Sequence, residues 1–246
     1  MVVDYRKVNS KILFDSYPMP SVEKAFKQFS GAVIFSIFDL KSAYFQIPLT
    51  ASSRRVTAFC TRFGLFEFNR LPLGISVGSQ GLTRVVDELF ADVKGAFVFN
   101  YLDDFVYSRS VEEHAQHVRT VLRRLRDAGF TLNPTKMTIG AREATYLGHC
   151  MSSRGISVLP DRVAAIRELT RPTNSRSLRQ FIAMAGFYAR FVPNFSKRAA
   201  PLHALKKKGA KFLWAEEHQT AFESLKQAFC EAPVLQVQTL IRNLCW

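Results

Sequence analysis

Two adjacent acids at the centre of an apolar run constrain this chain more than any other feature. The run reads Ala96-Phe97-Val98-Phe99-Asn100-Tyr101-Leu102-Asp103-Asp104-Phe105-Val106-Tyr107-Ser108. β-Branched and aromatic residues flank a polar centre, which is the pattern of a tight hairpin with the acids at its turn. Two negative charges beside such strands are costly unless a cation sits on them, and hard divalent ions take carboxylate oxygens. Asp-Asp is also ordinary turn chemistry. The hairpin by itself leaves both readings open.

A third carboxylate moves the balance toward a metal site. Phe35-Ser36-Ile37-Phe38-Asp39-Leu40 is a second short apolar strand ending in one acid. A strand-end Asp and a hairpin Asp pair on neighbouring strands would suit two metal ions that clamp the attacking and leaving oxygens of a phosphoryl displacement.

The rest of the chain fits an ordered protein of one large domain or two smaller ones. It has 246 residues, of which 48% are hydrophobic. No apolar run reaches the length of a membrane span, and Asp4, Arg6 and Lys7 follow Met1 in place of a signal peptide. Cys60, Cys150, Cys230 and Cys245 are scattered and read as reduced thiols of an intracellular protein, cytoplasmic or nuclear, rather than as a disulfide or zinc framework. The net charge of +14 is uneven: residues 1–110 carry 13 Lys and Arg against 10 Asp and Glu, and residues 111–246 carry 21 against 10. A basic half beside a near-neutral one suggests a track for a phosphate backbone, although solvated helix faces are basic too.

Periodicity predicts a short strand, a Pro18/Pro20 loop and a helix around residues 22–29 in the first 35 residues. Strands follow near 34–39, 45–49, 56–60 and 65–69. A helix after Gly78 carries Leu82, Val85, Val86, Leu89 and Phe90 at helical spacing. After the hairpin come a helix from Val111 to Asp127, ended by Gly129, and a strand pair at 143–151 and 155–158. From Pro160 only helices are expected, at 160–169, 175–190, 197–207 and 215–230, so a boundary falls near 158. Glu112-Glu113-His114 with His117 matches no metalloprotease motif, and the spacing suggests an exposed helix face.

Taken in order, the motifs resemble the reverse transcriptases of long-terminal-repeat retrotransposons, above all the Gypsy (Ty3-like) group. The resemblance runs from Val3-Asp4-Tyr5-Arg6-Lys7-Val8-Asn9 to Ala232-Pro233-Val234-Leu235. Between them stand Phe38-Asp39-Leu40-Lys41-Ser42-Ala43-Tyr44, Thr57-Ala58-Phe59, Leu71-Pro72-Leu73-Gly74, Tyr101-Leu102-Asp103-Asp104, Tyr146-Leu147-Gly148-His149 and Gly186-Phe187-Tyr188-Ala189-Arg190-Phe191-Val192-Pro193.

The resemblance implies an α+β right-hand polymerase with fingers, palm and thumb, an antiparallel palm sheet and an all-helical C-terminal part. Residues 1–158 would be fingers and palm, 159–236 a helical thumb or connection-like region, and 237–246 a divergent tail. It implies Asp39, Asp103 and Asp104 as the catalytic and metal-binding acids, holding Mg²⁺ or Mn²⁺. Tyr44 would be the gate that crowds the sugar 2′-position, with Arg6 and Thr83 also near the nucleotide. Leu147-Gly148 would seat the primer terminus, and Arg190, Lys206 and Lys207 would follow the phosphate backbone. Bland readings stand beside these: aromatic packing for Tyr44, a plain β-turn for Leu147-Gly148, and core packing for Phe187, Tyr188 and Phe191. The implied partners are an RNA or DNA template with its primer and deoxynucleoside triphosphates, with no membrane and the oligomeric state left open.

Departures from the pattern matter as much. Ser79, Leu82 and Thr83 stand where the family pattern has Pro, Phe and Gln, and that Gln contacts the nucleotide in relatives. Relatives also carry basic finger residues ahead of the Val3-Asp4-Tyr5 motif and continue past Leu235 toward an RNase H domain. The chain therefore reads as a fragment of a mobile-element polyprotein. The expected activity is RNA-directed DNA polymerisation by two Mg²⁺. The alternatives are a remnant that keeps the fold and nucleic-acid binding but not catalysis, and an unrelated metal-dependent nuclease.

Overall fold

A computed structural model describes residues 3–13, 15–18, 27–101, 103–206 and 212–231, with the backbone alone for 101 and 103–105. The helix expected around 22–29 lies largely outside these residues. The chain parts into two compact units, Met1–Ala144 and Thr145–Trp246.

In the first unit, α1 (Arg6–Asn9) stands where a strand was expected. The Asn9 side chain explains the turn: its amide donates to the Gly74 carbonyl at 2.8 Å, and its carbonyl accepts from the Ser76 N–H at 2.9 Å. The central element is a four-stranded antiparallel sheet in the order β4-β5-β1-β6, with β1 Ile34–Phe38, β4 Val98–Tyr101, β5 Asp103–Ser108 and β6 Thr138–Ala141. β1 is flanked on both sides. Toward β6 its register slips between Phe35 and Ile37. Gly140 lies in that irregular stretch with φ +67 and donates its N–H to the Ser36 hydroxyl at 3.0 Å. A strand of such length, broken by Gly and with Ile139 exposed, carries little sequence signal, and β6 was not anticipated.

Helices α3 (Gly78–Leu89) and α4 (Val111–Asp127) contribute to the core beside this sheet. Phe38, Val98 and Val106 from the strands meet Leu82, Val86 and Phe90 from α3 and its C-cap, and Val121 and Leu125 from α4. The Ser110 hydroxyl caps α4 by accepting the Glu113 N–H. A separate aromatic group joins Phe29 edge-on to Phe99 and Tyr107.

The strand expected near 45–49 gives way to a helical turn, and the one expected near 56–60 begins later because a helix takes its start. Residues 43–46 form a 3₁₀ turn (Ala43–Gln46), and Ala51–Val56 form α2, so only Phe59–Thr61 (β2) and Gly64–Phe66 (β3) pair as a hairpin. The cause near 45 is Gln46, whose amide donates to the carbonyls of Lys41 and Thr131 while its own carbonyl accepts the Thr131 N–H. Near 56 the Thr50 side chain caps α2 by accepting the Ser53 N–H.

β7 (Glu143–Tyr146), which spans the division, forms a separate sheet with β8 (His149–Ser152) and β9 (Gly155–Val158) of the second unit. This sheet carries the division to Ala144/Thr145, ahead of the change to all-helical sequence near 158. Helices α5 (Pro160–Glu168), α6 (Ser175–Phe187), α7 (Phe195–Ala204) and α8 (Glu216–Cys230) follow. The Asn174 side chain and Ser177 form a capping box on α6. Phe181 packs on Phe222 with ring centroids 4.8 Å apart, and the Lys226 ammonium donates to the Leu169 carbonyl at 2.8 Å. Among the described residues no helix is long and apolar enough to cross a membrane.

Candidate polymerase site

Backbone register brings the acids together across 64 positions of sequence (103 − 39). β1 pairs antiparallel with β5, and the ladder runs Ile34↔Ser108 through Ile37↔Phe105 to Phe38↔Asp104. Asp39 is the next residue after that last pair, as Asp103 is the next on β5, where it opposes Tyr101 across the hairpin. Phe35 and Phe38 lie on opposite faces of β1 and are both buried, so the strand is packed on its two sides.

Asp39 is held from behind. Its carbonyl accepts the Asn133 N–H at 2.8 Å, and the Lys41 N–H reaches the Thr131 carbonyl at 2.9 Å. Its carboxylate keeps a quarter of its surface in solvent, with the Lys136 ammonium 3.9 Å away. Lys136 was not singled out from sequence. The Asn133-Pro134-Thr135-Lys136 turn was its signal, because a Pro-led 3₁₀ turn after the Leu40↔Leu132 bridge has to return beside β1.

A polar knot supports the hairpin below its turn, and sequence reasoning missed it as well. Asp87 of α3 is 8% exposed. It accepts from Tyr17 Oη at 2.7 Å and from Asn100 Nδ2 at 3.1 Å, and it forms an ion pair with Lys94. The Asp87 carboxylate raises the pKa of the Tyr17 hydroxyl through this hydrogen bond. Asn100 opposes Asp104 across the β4–β5 ladder, so the knot ties α3 to the acid-bearing hairpin.

A second polar hub lies under β1 and β5. His114 is buried at 4% exposure, contrary to the expectation of an exposed helix face. Its Nε2 lies 2.7 Å from Ser36 Oγ, and its Nδ1 lies 2.9 Å from Ser108 Oγ. Ser108 Oγ is also 2.8 Å from His117 Nδ1, and the His117 ring stacks on Phe97 at 3.8 Å. Burial lowers the pKa of both imidazoles. Sequence periodicity missed this because two serines on the inner face of β1 and β5 supply partners for an inward histidine.

The expected nucleotide residues divide. Tyr44 lies on the 3₁₀ turn, half-buried, its hydroxyl 2.9 Å from Ser79 Oγ at the start of α3. Thr83 is 1% exposed, and its hydroxyl donates to the Ser79 carbonyl at 2.8 Å. Arg6 is exposed, and its guanidinium donates to both carboxylate oxygens of Asp4. That pairing holds the Asp4 carboxyl below its ordinary pKa.

In the second unit, Leu147 (φ +49) and Gly148 (φ +75) form the two-residue turn between β7 and β8. Left-handed conformation at both positions is that of a type I′ hairpin, and a Leu there is strained. Surrounding contacts hold it. Tyr188 Oη donates to the Gly148 carbonyl at 3.2 Å, the His149 Nδ1 lies 2.8 Å from the Leu147 carbonyl, and a Cβ on Gly148 would come 3.3 Å from the Phe187 ring. Tyr188 and Phe191 are buried, Phe187 is 45% exposed and Arg190 is half-buried. Lys206 is exposed at the end of α7, and Lys207 lies outside the described residues.

Comparison with known proteins identifies the family and the fold. Residues 1–151 match the family described as reverse transcriptase (RNA-dependent DNA polymerase). The chain is 32% identical over 248 residues to the retrovirus-related Pol polyprotein from transposon 412 of Drosophila melanogaster, covering 100% of this chain and 20% of that protein. It is 30% identical to the transposon Tf2-7 polyprotein of Schizosaccharomyces pombe, over 96% of this chain and 18% of that one. The chain thus spans about a fifth of the length of these relatives. Among solved structures, the foamy viral protease-reverse transcriptase dRH in complex with double-stranded DNA matches with a TM-score of 0.86 and 25% identity, over 96% of this chain and 42% of that one. The same viral protein in complex with RNA/DNA hybrid matches with a TM-score of 0.84 and 25% identity, over 96% of this chain and 32% of that one. The mixed helix and antiparallel-sheet architecture is that of a polymerase core, and the chain belongs to the reverse transcriptase family, with its resemblance to the retrotransposon branch borne out.

Proposed function

We propose that the chain is the polymerase part of a retrotransposon reverse transcriptase, adding deoxynucleotides to a primer 3′-hydroxyl on an RNA or DNA template. The observation that carries this reading is the β1–β5 register, which sets Asp39 beside the acidic start of β5. Carboxylates are hard oxygen donors, and Asp39 is partly open to solvent at the end of its strand. That donor chemistry fits Mg²⁺ or Mn²⁺, with Asp39, Asp103 and Asp104 as its holders. When bound, the metal would activate the primer hydroxyl and neutralise charge on the triphosphate.

The chain's own residues would position and screen. Lys136 offsets the charge of Asp39, weakly, because its side chain is 67% exposed. Tyr44 would stand against the sugar. The strained Leu147-Gly148 turn, clamped by Tyr188 and His149, would present its backbone to the primer terminus. Arg190, Lys206 and Lys207 would follow the phosphates, so duplex affinity should fall steeply with salt.

A second reading has one observation in its favour. Thr83 is buried, and its hydroxyl is engaged by Ser79, so it makes a poor replacement for a nucleotide-contacting Gln. On this reading the chain keeps the fold and binds nucleic acid but polymerises slowly. Extension of oligo(dT) on poly(rA) with Mg²⁺ or Mn²⁺ separates the two. Extension supports the polymerase reading, whereas template–primer binding with no extension would leave the remnant.

A further inference from the structure

Tyr44 sits on a single 3₁₀ turn entered through Ser42 in left-handed conformation (φ +52). One such turn has too few internal bonds to fix a ring, so the ring must be held from outside. Two residues at the start of α3 supply the hold. A Cβ at Gly78 would come 3.2 Å from Cε1 and 3.4 Å from Cδ1 of Tyr44, so the ring lies against backbone where a side chain would crowd it. Beyond it, Ser79 Oγ lies 2.9 Å from the Tyr44 hydroxyl. Ser79 is anchored in turn, its carbonyl accepting the buried Thr83 hydroxyl at 2.8 Å. Ser79 therefore touches two of the three side chains that the family resemblance sets beside the nucleotide, Tyr44 through its hydroxyl and Thr83 through its carbonyl.

We propose that Ser79 is a positioning residue for nucleotide selection: its hydroxyl pins Tyr44, and the pinned ring discriminates deoxyribo- from ribonucleoside triphosphates. This rests on the polymerase reading above and adds to it the residue that sets how firmly the ring stands. A ring held only by packing can tilt when a 2′-hydroxyl approaches. A ring also tied at its far end can tilt only by breaking the tie, a hydrogen bond whose loss changes an equilibrium by roughly two- to tenfold. The bond joins one hydroxyl to the other and acts through the ring. Its effect therefore falls on the ratio between the two sugars rather than on the affinity for both.

The test uses the chain with a dideoxy-terminated primer on a DNA template, Mg²⁺ or Mn²⁺, and either dATP or ATP opposite template thymidine. The readout is the nucleotide concentration that half-protects the complex against a salt challenge. Ser79→Ala and Tyr44→Phe should each reduce the preference for dATP over ATP by about fivefold. Combining them should reduce it no further, because both remove one bond. Ser79→Thr keeps the hydroxyl and should keep the preference, while Tyr44→Val, which removes the ring, should lose the most. General damage to the site would weaken both nucleotides together and leave the ratio alone. An unchanged ratio in Ser79→Ala, with a collapsed ratio in Tyr44→Val, overturns the role of Ser79 and leaves the gate standing. An unchanged ratio in Tyr44→Val overturns the gate and the role of Ser79 with it. A wild-type chain that forms no nucleotide-dependent complex overturns the polymerase reading itself.

Discussion

The acid-bearing strands and the Tyr44–Ser79–Thr83 wall belong to the same unit and are built on different principles. The acids are placed by backbone pairing: once β1 lies against β5, every residue from Ile34 to Phe38 has a fixed partner, and Asp39 follows. The wall is placed by side chains meeting across a 3₁₀ turn and the first turn of α3. Pairing tolerates substitution because ladder bonds belong to the main chain. Side-chain contacts do not. By the resemblance the first region keeps the family's pattern and the second is expected to depart from it at Ser79, Leu82 and Thr83, two of which are bonded to each other.

The largest expected effect tests the first half of that contrast. Asp103→Asn should reduce primer extension to background while leaving the fold and template–primer binding intact, because it removes the charge of a proposed metal holder and keeps its size. Extension at the wild-type rate would detach the register from the chemistry.

This difference also explains what could be read from sequence. The β4–β5 hairpin, the helix after Gly78 and all four C-terminal helices were legible, because each repeats a period over many residues. The 3₁₀ turn at Tyr44 was not, because three hydrogen bonds from one glutamine, Gln46, override a β-prone stretch. Lys136, the Asp87 knot and the inward His114 were hidden for a related reason. Each depends on a partner distant in sequence, Asp39 for the first, Tyr17 for the second and Ser36 for the third. Of the expected site, pairing made the acids legible. Sequence placed Tyr44 by its offset from Asp39 but gave no sign of what holds it.

The next effect concerns the support of the acid hairpin. Asp87→Ala should destabilise the chain by about 2–3 kcal/mol, since it strands the buried Asn100 amide and unpairs Lys94 and Tyr17. Urea unfolding measures this. The variant should also lose extension activity faster than Tyr44→Phe on mild heating, because the knot lies under the acids and not under the wall. Equal loss in both variants would erase the distinction between the regions.

The histidine hub makes the same strands sensitive to acid. Burial lowers the pKa of His114 and His117 below the ordinary imidazole value, so both are neutral in the folded chain where the unfolded chain already takes up protons. Stability is therefore full above the unfolded pKa of about 6.5 and falls as pH drops below it. Other groups act here too: Glu113 and the Tyr107 backbone favour the charged form of His117, and His117 opposes protonation of His114. The urea midpoint should decline as the pH falls below about 6.5, and His114→Gln with His117→Gln should flatten the decline. A decline of the same size in the double variant would assign it to other groups.

The smallest expected effect bears on the wall. Thr83→Gln restores the residue type that the family pattern has there, and a charge-neutral contact to the nucleotide is worth roughly 0.5–1.5 kcal/mol, or two- to tenfold in KM. The gain should fall at the lower end, near threefold. Thr83 is 1% exposed, so the longer side chain must leave a closed position, and the Ser79 carbonyl loses the hydroxyl it now accepts. If the wall has been rebuilt around Ser79, the substitution should lower KM for dATP yet weaken the preference against ATP, because it loosens the residue that holds Tyr44. Steady-state extension with each nucleotide separates the two terms. A tenfold fall in KM with the preference unchanged would mean that the wall still has its ancestral shape and lacks only one side chain.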